Sequence, residues 1–327
     1  MDKEKEGLSF IKKGKDMIKQ IGMYLTDRDY RFKVNAAHGW TDSMPDDQFL
    51  KRKFEIEMGY ELDLDNPKTF NEKLQWLKLH DRKPIYTSMV DKIEAKKLVS
   101  QIIGEQYIIP TIGTWNSVDE IDFEKLPDQF VLKCTHDSHG VIICRDKNKL
   151  DINSAKKQLS EALKRNYYYK FREWPYKDIH PRIIGEKYME QSGDNSGNAS
   201  GGLNDYKLQC FNGKFDNVFV AEGRNTERGV RFHYFDRYWN YIPYCPYDDV
   251  DLEALQKLKP QNFDLMIEIA ETLARDLIQL RVDLYEINGS VYFGEMTFFS
   301  NSGFDTDITS EADQILGGKL LLPRMNV

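Results

Sequence analysis

Apolar residues recur at helical spacing in the first part of the chain and at strand spacing afterwards. The segments 46–58, 70–80 and 88–104 place them three or four positions apart, which predicts three amphipathic helices. Gly104 is a suitable C-cap for the third helix, and the run QYIIP that follows predicts a short strand.

From about residue 127, short β-rich runs alternate with turns and two helical segments. Hairpins are expected in 128–145, around Asn212-Gly213 and in 281–297, with a strand in RIIGEKYME and helices near 153–165 and 263–280. The stretch QSGDNSGNASGGLND predicts a long loop that covers a site. Helices first and mixed strands and helices later predict an α+β fold.

Composition and charge narrow the function. Lys and Arg number 46 against 53 Asp and Glu, a net charge of -7, which argues against nucleic acid or an anionic membrane as partner. The cysteines lack zinc-site spacing, and no apolar run approaches the roughly 20 residues of a membrane-spanning helix. The N-terminal residues lack a signal-peptide core. We therefore expect a cytoplasmic protein that acts on small molecules, without a transmembrane segment.

The final hairpin, RVDLYEINGSVYFGEMTF, carries three charges among apolar neighbours. A two-residue turn at Asn288-Gly289 would place Asp283 and Glu295 on opposite faces of the sheet. A turn one residue earlier, with Gly289 in a left-handed bulge position, brings both carboxylates and Arg281 to one face. The sequence favours the second arrangement.

Two interpretations of this charged face stay open. Arg281 either only neutralises the two acids, or the carboxylates bind a divalent cation such as Mg²⁺ that completes its shell with phosphate and water. The second interpretation requires further phosphate ligands. Lys133 precedes a turn that ends at Gly140, and the backbone amides of such a turn can hold a phosphate group.

Taken in order, several motifs resemble those of the ATP-grasp superfamily and most closely its TupA-like branch, which is associated with bacterial cell-surface polysaccharide assembly. The motifs are DKIEAKKL, QYIIPTIGTW, FVLKCTHDSHG, RIIGEKYME, DYKLQCFNGK, FDRYWN, RVDLY and YFGEMTF, from about residue 70 to the C-terminus. The resemblance implies an ATP-grasp fold in which two α+β subdomains grip ATP after a mainly helical N-terminal region. The implied divisions are a helical extension (1–45), a helical pre-ATP-grasp region (46–110), a small subdomain (111–190) and a large subdomain (191–327).

The resemblance also implies site residues. Those expected to contact ATP are Lys92, Lys133, Ser138, His139, Gly140, Glu186, Lys187, Tyr188 and Met189. Those expected at the metal are Asp283, Glu295, Thr297 and Asn301. Thr297 stands where the superfamily usually has a metal-binding asparagine, so Thr297, Asn301 or water would fill that position. Arg281 and Lys133 would be catalytic, and Glu190 is the candidate ribose ligand.

The implied activity is an ATP- and Mg²⁺-dependent ligase. A carboxylate, here a uronic acid, would attack the γ-phosphate of ATP, and an amino acid or other amine would then displace phosphate from the acylphosphate to form an amide. Arg224, Arg228 and Arg231 either hold the sugar carboxylate or form an exposed basic loop. The aromatic residues of YWNY, 238–241, either stack on sugar rings or belong to the core.

Two other classes of function are weighed beside the ligase. A glycosyltransferase often carries a DxD metal motif, and residues 305–307 have that form. An inactive ATP-grasp fold would act as a binding or scaffold protein. The joint presence of Lys92, Lys133, Arg281, Asp283 and Glu295 favours the ligase over both.

Overall fold

The computed structural model describes residues 19–137, 140–191, 203–222 and 229–323. Residues 19–26 are helical. The following helices are α1 Arg28–Ala37, α2 Asp46–Met58, α3 Phe70–His80, α4 Ile85–Val90, α5 Lys92–Ile103, α6 Ile152–Leu163, α7 Tyr168–Phe171, α8 Leu252–Gln256, α9 Phe263–Leu273 and α10 Ser310–Lys319. Short 3₁₀ helices cover Glu105–Tyr107, Val118–Glu120, Lys147–Lys149, Trp174–Tyr176 and Ser300–Gly303.

The strands form two antiparallel sheets, which together with the helices give the α+β fold that the pattern predicts. They are β1 Thr111–Trp115, β2 Phe130–Cys134, β3 Val141–Cys144, β4 Ile183–Lys187, β5 Asp205–Phe211, β6 Lys214–Glu222, β7 Arg231–Phe235, β8 Tyr241–Ile242, β9 Gln279–Ile287 and β10 Ser290–Thr297. A four-stranded sheet has the order β1-β4-β2-β3, and a six-stranded sheet has the order β10-β9-β5-β6-β7-β8.

Alternation along the strands gives each sheet one apolar face. In the six-stranded sheet, Leu208, Val282 and Leu284 lie in the main core cluster together with residues of α9 such as Met266. In the four-stranded sheet, residues such as Leu132 pack beneath α6. Side chains at the intervening positions lie on the other face of each sheet, where the charged residues of the predicted site are found.

The third predicted helix is two helices, α4 and α5, so that prediction was wrong. Asp91 separates them in an extended conformation, and its side chain accepts hydrogen bonds from the backbone N–H groups of Ile93 and Glu94. An aspartate in this position caps a helix N-terminus more favourably than it continues a helix. The break makes Lys92 the first residue of α5.

Two other predicted elements differ from the structure. The run QYIIP is not a strand: it begins in a 3₁₀ helix and makes one bridge, from Ile108 to Phe293, and β1 starts only after Pro110, which has no N–H to donate. The helix predicted over 263–280 ends at Leu273, because Asp276 has a left-handed φ of 64° and the chain then enters β9. None of the described helices is long and apolar enough to cross a bilayer.

Candidate active site

The β9–β10 hairpin turns through Asn288-Gly289, and the longer turn predicted from the sequence is wrong. Both residues have positive φ, 52° for Asn288 and 77° for Gly289, as a two-residue type I′ turn requires. Strict alternation from this turn would separate Asp283 and Glu295 onto opposite faces. A second irregularity in β10 prevents that separation.

Gly294 is the extra residue of a bulge that brings the two carboxylates together. The pairing shifts just before Glu295, and Glu295 becomes the Cα partner of Asp283. A Cβ on Gly294 would lie 2.9 Å from Cε2 of Tyr285 and 3.0 Å from the carbonyl oxygen of Asp283, so a glycine suits this close approach. The expected shared face is therefore present, but the bulge that produces it lies at Gly294 and not at Gly289.

Arg281 contacts both carboxylates of this face. Its Nε and Nη2 atoms donate to Oδ1 and Oδ2 of Asp283 at 2.6 and 2.8 Å, a bidentate pair. Nη2 also lies 3.2 Å from Oε1 of Glu295 and 3.0 Å from Oγ1 of Thr297. The Asp283 side chain is buried, whereas that of Glu295 is 43% exposed. Glu295 therefore remains accessible to a ligand.

Lys207 on β5 belongs to the same cluster, although the sequence pattern did not single it out. It is the Cα partner of Asp283, and its Nζ forms ion pairs with Oδ2 of Asp283 and, at 2.6 Å, with Oδ2 of Asp205. Asp205 and Lys207 alternate with the buried, apolar-facing Tyr206 and Leu208. That period-two pattern in DYKL was the available signal for a polar face.

Charge pairing outweighs burial throughout this cluster. Burial alone would raise the pKa of Asp283, but Arg281 and Lys207 hold that pKa below its usual range. Burial would lower the pKa of Lys207, and Asp205 and Asp283 raise it instead. The pKa of Arg281 rises for the same reason. The ionised forms are thus favoured at neutral pH.

Lys133 lies on the four-stranded sheet and pairs with Glu186. Its Nζ is 2.7 Å from Oε2 of Glu186, and Lys96 pairs with the other carboxylate oxygen. Lys96 also donates to the carbonyl of Ile109 at 2.7 Å, and its side chain is 9% exposed against 23% for Lys133. Burial favours a higher pKa for Glu186, but the two lysines lower it. Lys133 is the member of the trio that a nucleotide can reach.

Lys92 connects the charged faces of the two sheets. Its Nζ donates to the carbonyl of Asp137 at 2.8 Å. Burial lowers the pKa of Lys92, and the charges acting on it include Glu295 from the six-stranded sheet and Lys133 from the four-stranded sheet. The capping residue Asp91 fixes this position, so the break between α4 and α5 has a functional consequence.

The segment expected to contact adenine follows the buried end of β4. Lys187 is exposed, and Tyr188 and Met189 are half-buried. The hydroxyl of Tyr188 accepts a hydrogen bond from Nε of Arg145 at 3.1 Å. The predicted ribose ligand, Glu190, is exposed, and its carbonyl contacts the β9–β10 turn.

An apolar surface lies next to this segment. Ile143 on β3 is 58% exposed, and it pairs with Val131, which in turn pairs with Glu186. These residues share the face of the sheet that carries Lys133. A flat apolar ring such as adenine fits beside Ile143.

The predicted phosphate loop is described only at its ends. Ser138 and His139 lie outside the described residues. Gly140 is buried, and a Cβ there would lie 3.0 Å from the Cβ of Ala162 in α6. His136 is also buried, with Nε2 3.1 Å from the carbonyl of Ala162, so this histidine supports the loop from below.

An unusual turn follows β10. Asn301 and Ser302 have φ values of 45° and 54°, and two successive left-handed residues without glycine cost roughly 1–2 kcal/mol each. Lys78 compensates by donating to the carbonyl of Ser302 at 2.7 Å, and the Ser302 hydroxyl donates to Glu173 at 2.6 Å. Asn301 hydrogen-bonds through its side chain to Asp305, whereas Thr297 lies beside Glu295. Of the two predicted replacements for asparagine, Thr297 has the better position.

The remaining predicted substrate residues lie elsewhere or are not described. Arg224 and Arg228 lie outside the described residues. Arg231 pairs with Asp249 at 2.8 Å and lies 4.1 Å over the ring of Tyr247, on β7 and away from β9. Nothing in these contacts joins Arg231 to the carboxylate pair.

The other two alternatives from the sequence are also resolved. Trp239 is 1% exposed and stacks on Phe235 in the core, whereas Tyr238 is 76% exposed, so YWNY is not one stacking surface. Asp305 of the DxD-like motif is buried and accepts the N–H of Asp307, and burial raises its pKa to about 6. This geometry is that of a turn, which does not favour the glycosyltransferase alternative.

The donor set around Glu295 fits a hard cation. Within the described ranges, no group of three or more His, Cys, Asp and Glu side chains is placed to hold a metal ion. Asp283 and Glu295 are partners on adjacent strands, and the Thr297 hydroxyl lies 3.4 Å from Glu295. Mg²⁺ needs few carboxylates when phosphates and water supply its other ligands, so these residues fit a cation that binds together with a nucleotide.

Comparisons with solved structures give weak overall similarity. The chain is 15% identical to a D-alanine–D-alanine ligase from Bacillus anthracis in complex with ATP, covering 70% of this chain and 61% of that chain with a TM-score of 0.40. It is 9% identical to the ATP-grasp ligase PsnB in complex with a precursor variant, Mg and ADP, covering 90% and 73% with a TM-score of 0.40. This chain therefore spans less than two thirds of the D-alanine–D-alanine ligase.

Sequence comparison gives a more specific result. No curated protein matches the chain. A family model described as TupA-like ATPgrasp matches residues 72–321, which include both sheets and the described charged residues of the site. The match agrees with the resemblance noted from about residue 70 onwards. The chain belongs to the TupA-like ATP-grasp family.

Proposed function

We propose that this protein is an ATP- and Mg²⁺-dependent carboxylate–amine ligase. The observation that carries the proposal is the convergence of cations and carboxylates from both sheets. Lys92 feels the charges of both Lys133 and Glu295, which belong to different sheets. A nucleotide triphosphate bound between the sheets would meet lysines on one side and the carboxylate pair on the other.

Each residue then has a role in phosphoryl transfer. Lys133 and Lys92 bind the phosphates, and Arg281 stabilises the charge that develops on the transferred group. Asp283 and Glu295 hold Mg²⁺, which when bound neutralises phosphate charge. The adenine lies against Ile143 and the segment from Glu186 to Met189. Ser138, His139 and Gly140 close over the phosphates as a loop.

The chemical product is an amide. The substrate carboxylate attacks the γ-phosphorus, ADP leaves, and an amine then displaces phosphate from the acylphosphate. We propose a uronic acid of a cell-surface polysaccharide or its precursor as the carboxylate and an amino acid or other amine as the nucleophile. Family membership supports the first half of this reaction. The division into a helical region and two subdomains at 111–190 and 191–327 belongs to the same proposal.

The test is ADP release by the purified protein with Mg-ATP, measured against a matrix of uronic acids, their glycosides and amino acids. Glu295→Gln removes an accessible carboxylate charge, and Glu268→Gln is the matched control because Glu268 is exposed on α9. ADP formed only with both acid and amine present, lost in Glu295→Gln and retained in Glu268→Gln, is the expected result.

Two other results would count against the proposal. A wild-type protein that does not bind Mg-ATP by isothermal titration would point to an inactive binding or scaffold protein. Turnover of a sugar nucleotide without ATP would point to a glycosyltransferase.

A further inference from the structure

Four aromatic side chains form a continuous strip at the edge of the site. Tyr176 lies 5.0 Å from Tyr167, Tyr167 lies 5.7 Å from Phe171, and Phe171 lies 6.1 Å from Phe304, all between ring centroids. All four are half-buried, so each ring retains accessible surface. We call these residues the aromatic strip.

One end of the strip adjoins the carboxylate pair. Tyr176 follows Glu173 by three residues, and Glu173 accepts a hydrogen bond from Ser302, five residues beyond Thr297. Burial raises the pKa of Tyr176, and the charges of Glu173 and Glu295 raise it further. The strip therefore begins beside the position where the proposed reaction takes place.

The other end of the strip is positively charged. Nζ of Lys53 lies 5.0 Å from the ring centroid of Phe171 and 5.5 Å from that of Phe304. Lys170 Nζ lies 5.0 Å from the Phe171 centroid, and the charges of Lys33 and Lys170 both act on Lys53. We call Lys33, Lys53 and Lys170 the lysine group. Among the printed ion pairs of this group, Glu57 is the partner of Lys53 at 3.3 Å.

These features together indicate the class of substrate. Aromatic rings stack on the apolar faces of sugar rings, and lysines attract carboxylates. A strip of three centroid steps, each at least 5.0 Å, is longer than one six-membered ring. A single uronic acid with its carboxylate beside Glu295 would leave the lysine group without an anion to bind.

We propose that the aromatic strip and the lysine group bind an acidic saccharide of more than one ring, with the reactive carboxylate beside Glu295 and a second anionic group at Lys53 and Lys170. This inference rests on the proposed ligase function and deepens it. It favours an oligomeric or polymeric acceptor over a free uronic acid.

Binding of a defined acidic trisaccharide tests the inference. Trigalacturonate, its methyl ester and monomeric galacturonate are titrated calorimetrically into the protein with Mg²⁺ and a non-hydrolysable ATP analogue. The expected order of affinity is trigalacturonate above both other ligands, with an affinity that falls as salt is raised. Mg-ATP binding is measured in a separate titration.

Matched variants locate the binding surface. Lys170→Gln is expected to weaken trigalacturonate binding about two- to fivefold, as for an exposed ion pair, and Tyr167→Leu about three- to tenfold, as for an aromatic stack. Lys157→Gln and Tyr238→Leu are controls, because both residues are exposed and lie outside the strip. None of these variants is expected to change the Kd of Mg-ATP.

Two outcomes overturn the inference and can be told apart. Equal binding of the acid and its methyl ester, or equal losses in the variants and the controls, would remove the inference and leave the ligase proposal intact. A wild-type protein that fails to bind Mg-ATP would remove the ligase proposal and the inference with it.

Discussion

Lys207 and Asp283 are Cα partners across β5 and β9, and their side chains form a buried ion pair. Asp283 is also bound by Arg281 on both carboxylate oxygens. The carboxylate is thus held by two cations on neighbouring positions of one sheet face. Its ionised state is a consequence of this pairing and not of exposure to water.

Replacing Lys207 by methionine is expected to destabilise the protein. Removing one partner of a buried pair typically costs about 3–5 kcal/mol because the remaining charge stays buried. The measurement is the free energy of unfolding at pH 7 by chemical denaturation. Lys259→Met, at an exposed position, is the control, and Lys207→Arg should retain most of the stability.

The same variant has a predicted pH dependence. Because the folded-state pKa of Asp283 is lowered, its contribution to stability is present above the unfolded pKa and is lost as pH falls through the folded pKa. Without Lys207 the folded pKa rises, so acid unfolding should begin at a higher pH. An unchanged acid transition would contradict the role assigned to Lys207.

Gly294→Ala is expected to damage the hairpin specifically. The added methyl group would lie 3.0 Å from the Asp283 carbonyl oxygen, and insertion into such a tight position typically costs about 1–3 kcal/mol. Gly318→Ala is the matched control, since nothing lies within 4 Å of its added Cβ and α10 should tolerate alanine better than glycine. Thermal melting of both variants, with Mg-ATP titration, separates loss of stability from loss of the site.

Lys133 and Lys96 share one carboxylate but should respond differently to substitution by glutamine. Lys133→Gln is expected to weaken Mg-ATP binding by about tenfold, the loss of one charged contact, with a small change in melting temperature. Lys96→Gln is expected to lower the melting temperature more, because Lys96 is more buried and also bonds the Ile109 carbonyl. Equal effects of the two substitutions on both measurements would show that the division of roles is incorrect.

Asp305→Asn is expected to stabilise the protein above pH 7. Burial raises the pKa of Asp305 to about 6, so the folded state favours the protonated form and stability falls as pH rises through that value. The neutral amide removes this penalty, worth about 1–3 kcal/mol at pH 8, and should make no difference at pH 4. Unfolding curves at both pH values test the sign, with the exposed Asp248→Asn as control.

Much of the fold follows from local patterns in the sequence. The helices α2 and α3, the β2–β3 and β5–β6 hairpins and the α+β class depend on apolar spacing and on turn residues such as Asn212-Gly213, and they agree with the structure. The break at Asp91 was missed because apolar spacing continues across it. Only the competition between capping and helix continuation, which depends on neighbouring structure, decides that position.

The site was predictable where one strand carries it and less so where strands combine. Arg281, Asp283 and Glu295 do share a face, but by a bulge that the close approach of Gly294 to Tyr285 explains only in three dimensions. Lys207 and Glu173 were missed because their partners lie 76 and 129 residues away. The spacing within a short motif contains no record of such distant contacts.

The left-handed turn at Asn301 and Ser302 also has a consequence for the order in which the chain matures. Lys78, which bonds the Ser302 carbonyl, precedes it by 224 residues, and Gln75 contacts the same turn. During synthesis α3 therefore leaves the ribosome long before the segment it supports. A nascent chain that stops short of this turn would already contain Lys92, Lys133 and the β9–β10 carboxylates, yet the wall beside them would be missing, so the catalytic cleft is one of the last parts of the molecule to be completed.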